Sequence, residues 1–181
     1  RWTYEADVVD YWELMNEVDP PTTAGHVWLA HFFMEAMNIA DANGYKLAIF
    51  SYSVGVPEWE EWQAIVETGV FAQAKAAGHI LALHEYNYPV MDRWWGEPLP
   101  GHPAYPDRGS LSGRYRHLYH DFLVPRDEVV PLAITEGGLD PVLAEPGMPT
   151  NWLDWFVEEM AWYDDRLRED DYTIGIAMFT I

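Results

Sequence analysis

Residues 129–138 read VVPLAITEGG, an apolar run too short for an ordinary helix that ends on Glu136 and two glycines. Apolar residues at successive positions mark a strand covered on both faces, the habit of parallel sheets. Pro131 has no N–H to give to a ladder, so it belongs at the very start of the strand or weakens the reading. Working outward, similar runs occur at 7–16 (DVVDYWELMN), 46–52 (KLAIFSY), 79–86 (HILALHEY) and 172–181 (YTIGIAMFTI).

Helical spacing fills the intervals. Pro20-Pro21 and a cap at Thr22 or Thr23 precede Val27, Ala30, Met34 and Met37, and Asn43-Gly44 ends that helix. Pro57 opens a second helix carrying Trp62, Val66, Val70 and Ala74 on one face, closed by Gly78. Tyr115, Leu118 and Phe122 mark a third, and Trp152, Trp155, Phe156 and Met160 a fourth. Strand–helix alternation of this kind predicts an α/β fold with a parallel sheet. No glycine-rich phosphate loop follows a strand, and polar residues gather at strand C-terminal ends. Both points favour a TIM (β/α)8 barrel over a doubly wound sheet. With five strand runs, residues 1–181 read as the C-terminal part of a single catalytic barrel domain, approximately strands four to eight. The opening RWTYEAD carries no signal-peptide pattern and reads as part of something longer, with strands one to three expected in the parent protein.

The chain has 181 residues, 49% of them hydrophobic, enough for one buried core. Thirty acidic residues against ten basic ones give a net charge of −20, which repels nucleic-acid phosphates and anionic membrane surfaces. A neutral substrate is not opposed. No run approaches the length of a membrane span. There is no cysteine, so disulfides, zinc–thiolate sites and cysteine nucleophiles are excluded. Ten tryptophans and eleven tyrosines supply either a large aromatic core or flat faces for sugar rings.

The stretch 8–20, VVDYWELMNEVDP, ends its apolar part on Asn16-Glu17. Glu17 and Glu136 therefore each close a strand, on the face where barrels build their sites. Glycoside hydrolysis needs two carboxyl groups flanking one bond, one to give a proton and one to attack carbon or activate water. Between them in sequence, LHEYNYP at 83–89 places His84 and Tyr86 at another strand end.

On these motifs the chain resembles the retaining glycoside hydrolases of the large (β/α)8 clan that includes cellulases, mannanases and β-xylosidases. That clan carries Asn-Glu at the end of strand four, a His-x-Tyr in some families on strand six, and a nucleophilic Glu on strand seven. The resemblance implies that Glu17 is the acid/base, Glu136 the nucleophile, Asn16 a partner of the sugar 2-hydroxyl, and Tyr86 a donor to Glu136. His84 would be a sugar contact or a structural histidine. It further implies cleavage of β-glycosidic bonds in an oligo- or polysaccharide, no cofactor and no metal, and a secreted or extracellular setting. The clan's strand-two arginine falls outside the chain, and its strand-eight aromatic has only Phe179 as a counterpart.

The long segment from Asn87 to Gly113 is the expected substrate-facing loop. Trp94, Trp95 and Tyr105 are its candidates for sugar stacking, with anchoring of the loop as the alternative. Trp12 and Glu13 are expected in core packing and in support of the site. Two rival functions remain at this level. A metal-dependent barrel hydrolase could draw ligands from His84-Glu85, although no His-x-His occurs at a strand end and His117 and His120 are expected on a helix surface. A polysaccharide-binding barrel without catalysis would not need both Glu17 and Glu136.

Overall fold

The computed structural model describes residue 5, residues 7–140 and residues 151–179. Its strands are β1 (Trp12–Glu13), β2 (Leu47–Tyr52), β3 (Ile80–Asn87), β4 (Leu132–Leu139) and β5 (Thr173–Met178). The helices between them are α1 (Thr23–Ala42), α2 (Trp59–Glu67), α3 (Val70–Ala77), α4 (Tyr115–Leu118) and α5 (Trp152–Leu167). All four strand pairings are parallel, and the sheet order is β1-β2-β3-β4-β5. The sheet curls through 189°, about half of a closed wall. This is a partial (β/α) barrel-like fold, not a complete TIM barrel.

Local chemistry sets most boundaries. Thr22 caps α1 through its hydroxyl, which accepts from Gly25 N–H at 3.2 Å. Asn43 and Gly44 end that helix, Gly44 with φ of 77°. The single helix expected over 57–78 is two, because the chain breaks between Glu67 and Val70 at Gly69, whose φ of 81° suits a residue without Cβ. Pro57 lies just ahead of α2, whose first turn is closed by Glu58 N–H donating to Glu61 at 2.9 Å. The helix expected around Tyr115 begins as α4 and widens into a π-helical turn over Tyr119–Leu123. Pro131 stands immediately before β4, where it costs no ladder bond.

The strand expected over 7–16 shortens to Trp12–Glu13. Among the described residues it is an edge strand with one neighbour, and Val8 stands 81% exposed. Glu13 is exposed rather than packed, while Trp12 is half-buried and edge-on to Tyr45. The last two residues of the run at 172–181 and the first four of the opening stretch lie outside the described residues.

The core lies between the convex face of the sheet and the helices. Leu47, Ile49, Leu81, Leu83, Leu132 and Ile134 meet Leu29, Phe33, Ile65, Phe71 and Tyr119 there. Phe50 sits at its centre with Phe33, Tyr52, Trp62 and Phe71 around it, and burying such a ring contributes about 2–3 kcal/mol. The concave face begins with a separate row of small side chains, Ala48, Ala82 and Ala133 with Ile80. Above that row the concave face turns polar.

Candidate active site

Four of the sequence-derived residues meet at the C-terminal rim. His84 and Tyr86, two apart on β3, share the concave face by simple alternation. His84 Nδ1 lies 3.0 Å from Glu17 Oε1 and 3.7 Å from Glu136 Oε2. Tyr86 donates its hydroxyl to Glu136 Oε2 at 2.8 Å. A carboxylate oxygen of Glu17, one of Glu136 and a ring nitrogen of His84 all lie within 4.8 Å of one another. The Glu17 side chain is 42% exposed and that of Glu136 24%, whereas the His84 side chain is fully buried.

Two β-bulges bring these groups together. In β2, Phe50 pairs with Ala82 and Tyr52 with Leu83, so Ser51 is an extra residue. In β4, Ile134 pairs with Leu83 and Glu136 with His84, so Thr135 is extra. One added residue reverses the in–out phase of the rest of a strand. Without the second bulge, alternation from Ala133 would turn Glu136 outward into the helices. With it, Glu136 joins His84 on the concave face. The first bulge lets consecutive Ile49 and Phe50 both face the core, so that Ser51 turns inward, and the Ser51 carbonyl accepts Glu17 N–H at 2.9 Å. Glu17 itself has a left-handed backbone, φ 51°. Non-glycine residues in that region cost of order 1–3 kcal/mol and concentrate at functional sites.

Tyr52 ends its strand near this rim, but its ring is buried and its hydroxyl meets His26 Nδ1 at 2.9 Å, on the convex side. Burial, with the hydrogen bond to Glu136 next, pushes the Tyr86 phenol well above its ordinary value, so it stays a donor.

Asn16 is exposed beside Glu17. The three aromatic candidates of the long loop are held elsewhere. Trp94 is 39% exposed, with the Arg93 guanidinium 4.3 Å from its ring centre. Trp95 stands edge-on to Trp162 of α5 and gives its indole N–H to Pro106 O at 3.0 Å. Tyr105 lies beneath Arg108, 4.1 Å from the ring centre, and edge-on to His117.

Sequence reasoning missed what fixes this loop. Glu85 alternates to the convex face and is buried, where it accepts from Gly113 N–H at 2.6 Å, Tyr115 N–H at 3.0 Å and the Tyr163 hydroxyl at 2.6 Å. Burial pushes its carboxyl up to about 7 against the pull of those donors. It faces away from His84 and the two cannot share a metal. Strict alternation from Ala82 is the signal that separates them. Arg108, Arg114 and Arg116 are also buried, and they donate to the carbonyls of Arg116, Ser110, Pro57 and Arg166. His117 is fully buried rather than on the surface, its imidazole pushed down to about 4 by burial first and Arg108 next. His120 is half-buried, its Nδ1 lying 3.0 Å from Arg108 and 3.3 Å from Asp107. Both belong to the arginine framework under the loop.

Among the described residues, Glu17, His84 and Glu136 are the set that could offer three ligand atoms to a metal. Those atoms are turned on one another, with His84 Nδ1 in hydrogen-bond range of Glu17 and Glu136 already engaged by Tyr86. Each carboxylate thus has its own side-chain partner, His84 for Glu17 and Tyr86 for Glu136. No helix among the described residues is long and apolar enough to cross a membrane.

A partial (β/α) barrel with two carboxylates converging at its C-terminal rim is the class that fold and site define. Among solved structures, the chain is similar to BpGH86A, a β-porphyranase of glycoside hydrolase family 86 from the human gut bacterium Bacteroides plebeius. The likeness has a TM-score of 0.52 at 15% identity over 88% of this chain. The chain spans 27% of the length of that structure. At this identity the likeness concerns the fold. No protein-family profile matches the chain, and no curated protein matches it.

Proposed function

We propose that this chain carries the carboxylate pair of a glycoside hydrolase that cleaves β-glycosidic bonds in an oligo- or polysaccharide with retention. The observation that carries the reading is the approach of Glu17 and Glu136 to within 4.8 Å, oxygen to oxygen, at one barrel rim. Retaining enzymes hold their carboxyl groups about 5–5.5 Å apart, and inverting ones roughly 6.5–9.5 Å, to admit a water. The close approach favours retention, which uses the shorter of the two spacings. The fold shared with a β-porphyranase supports a carbohydrate-active hydrolase without naming the sugar.

In this reading an oxygen of Glu136 attacks the anomeric carbon as the glycosidic C–O bond breaks, and Glu17 gives its proton to the departing oxygen. Water then attacks the same carbon, Glu17 takes the water proton, and the Glu136–sugar ester bond breaks. Tyr86 donates to Glu136 and aims it. His84 Nδ1–H supports the Glu17 oxygen that faces it, leaving the other oxygen for the proton. Asn16 takes the 2-hydroxyl, and Trp94, Trp95 and Tyr105 remain the proposed loop aromatics for outer sugars, Trp94 being the most accessible. The N-terminal part of the barrel would come from the parent protein.

The test is the anomeric configuration of the first product by proton NMR, with Glu136→Ala alongside. Retention together with loss of turnover in a folded Glu136→Ala variant supports the assignment. Inversion, or turnover at the normal rate without Glu136, overturns it. Metal analysis of the purified protein separates the metal-dependent rival.

A further inference from the structure

The two bulged residues meet. Ser51 is the extra residue of β2 and Thr135 the extra residue of β4, the strands on either side of β3. Their hydroxyls lie 3.5 Å apart, and Ser51 Oγ lies 3.5 Å from Nε2 of His84 on the strand between them. These are long contacts. Yet Ser51 is fully buried and the His84 side chain wholly so, which leaves Ser51 as the hydrogen-bond partner Nε2 has.

The residue type at position 51 makes the point sharper. Phe50 and Ser51 have φ of 78° and 56°, a left-handed pair in which glycine is the relaxed choice. Phe50 is there to fill the core among four rings. Ser51 has no such packing duty, and the carbonyl that holds Glu17 N–H would survive a glycine. What glycine would lose is the hydroxyl.

We propose that Ser51 and Thr135 are positioning residues for His84: the Glu17 carboxylate, which only accepts, takes Nδ1–H, and the Ser51 hydroxyl beside Thr135 turns to donate to Nε2 and holds that tautomer. With Nε2 an acceptor, the neutral imidazole must carry its proton on Nδ1, and Nδ1 then points a donor at Glu17, with Glu136 at 3.7 Å. The opposite tautomer would set a bare nitrogen against the carboxylate pair. The pair thus holds one donor between two acids whose roles differ. The catalytic meaning of this rests on the glycoside-hydrolase reading; the tautomer assignment does not.

The experiment reads the tautomer directly, by long-range nitrogen–proton NMR on histidine-labelled protein, with His84→Gln to assign the signal. Because the acceptor oxygen of Glu17 facing Nδ1 by itself favours Nδ1–H, the informative background is Glu17→Gln, whose amide can either accept or donate. His84 should remain the Nδ1–H tautomer in Glu17→Gln and divide between tautomers when Ser51→Gly or Thr135→Val is added. Thr135→Val is nearly isosteric, and Ser51→Gly relaxes its backbone, so both keep the fold. A tautomer already mixed in Glu17→Gln, or still pure Nδ1–H in both double variants, overturns the proposal. In the otherwise native enzyme, Ser51→Gly should lower kcat roughly tenfold with KM little changed, the pattern of an interaction used in the transition state. The expected NMR result in a protein that hydrolyses no glycoside would sink the functional reading and leave the positioning role standing.

Discussion

Tyr86 and Glu136 lie on adjacent strands, and the phenol hydroxyl donates to Glu136 Oε2 at 2.8 Å. A hydrogen bond to an ionised group contributes about 1.5–3 kcal/mol, and this one also fixes which way the carboxylate turns. Tyr86→Phe should therefore lower kcat/KM roughly tenfold to a hundredfold. Because burial and Glu136 hold the phenol protonated, the loss should be the same across the working pH range. A steady-state pH series on both enzymes checks this, and a loss that vanishes at one end of the series counts against a simple donor role.

Glu17 should be separable from Glu136 by leaving group. A dinitrophenyl glycoside needs no proton to depart, so Glu17→Ala should still form the glycosyl-enzyme and then stall, since no base activates water. Azide needs no base. Adding it should restore turnover and give a glycosyl azide with the configuration of the substrate. Azide without effect, or an azide product of inverted configuration, contradicts the assigned roles.

The strand–helix order was legible because β2 and β3 each open on a four-residue apolar run, LAIF and ILAL, and the helices before them end at Gly44 and Gly78. The rim residues were legible because His84 and Tyr86 alternate regularly. What placed Glu136 beside them was not. Counting by twos from Ala133 points Glu136 the wrong way, and only the extra residue Thr135 corrects it. A bulge adds one residue with no fixed sequence signature, and here neither bulge uses glycine at its extra position. The anchoring of the loop was hidden for a different reason. Its aromatics were visible as composition, but the buried arginines and Glu85 that hold it act through contacts more than twenty residues distant in sequence.

Glu85 makes a pH prediction of unusual sign. Its carboxyl titrates near 7 when folded against 4.5 as the ordinary value, so between those limits the native state binds the extra proton. Its contribution is fully present below about 4.5 and is lost as pH rises through about 7, on the order of 3 kcal/mol. Glu85→Gln carries no such proton. Urea unfolding from pH 4.5 to 8 should show the wild type losing ground to the variant as pH rises, then running parallel above 7. Curves parallel throughout would mean that the buried carboxyl does not take up its proton in this range.

Gly137 follows the nucleophile candidate directly, and a Cβ there would lie 2.8 Å from Ile176 Cδ1, 2.9 Å from Ile134 Cγ2 and 3.2 Å from the Glu85 carbonyl. The two isoleucine ends can shift, but the carbonyl belongs to the backbone of β3 and cannot move without parting the strands. Gly137→Ala should thus cost about 1–3 kcal/mol through overpacking and push β4 away from β3 next to Glu136. A displacement near 1 Å at a reacting group can cost about a hundredfold in rate. The expected result is a modest fall in melting temperature with a much larger fall in kcat. Pairing the change with Ile176→Val, which removes the nearest methyl, should recover most of the stability. It should recover little of the activity, because the contact with the Glu85 carbonyl remains. Full recovery of both would show that the side chains, not the strand spacing, set the position of Glu136.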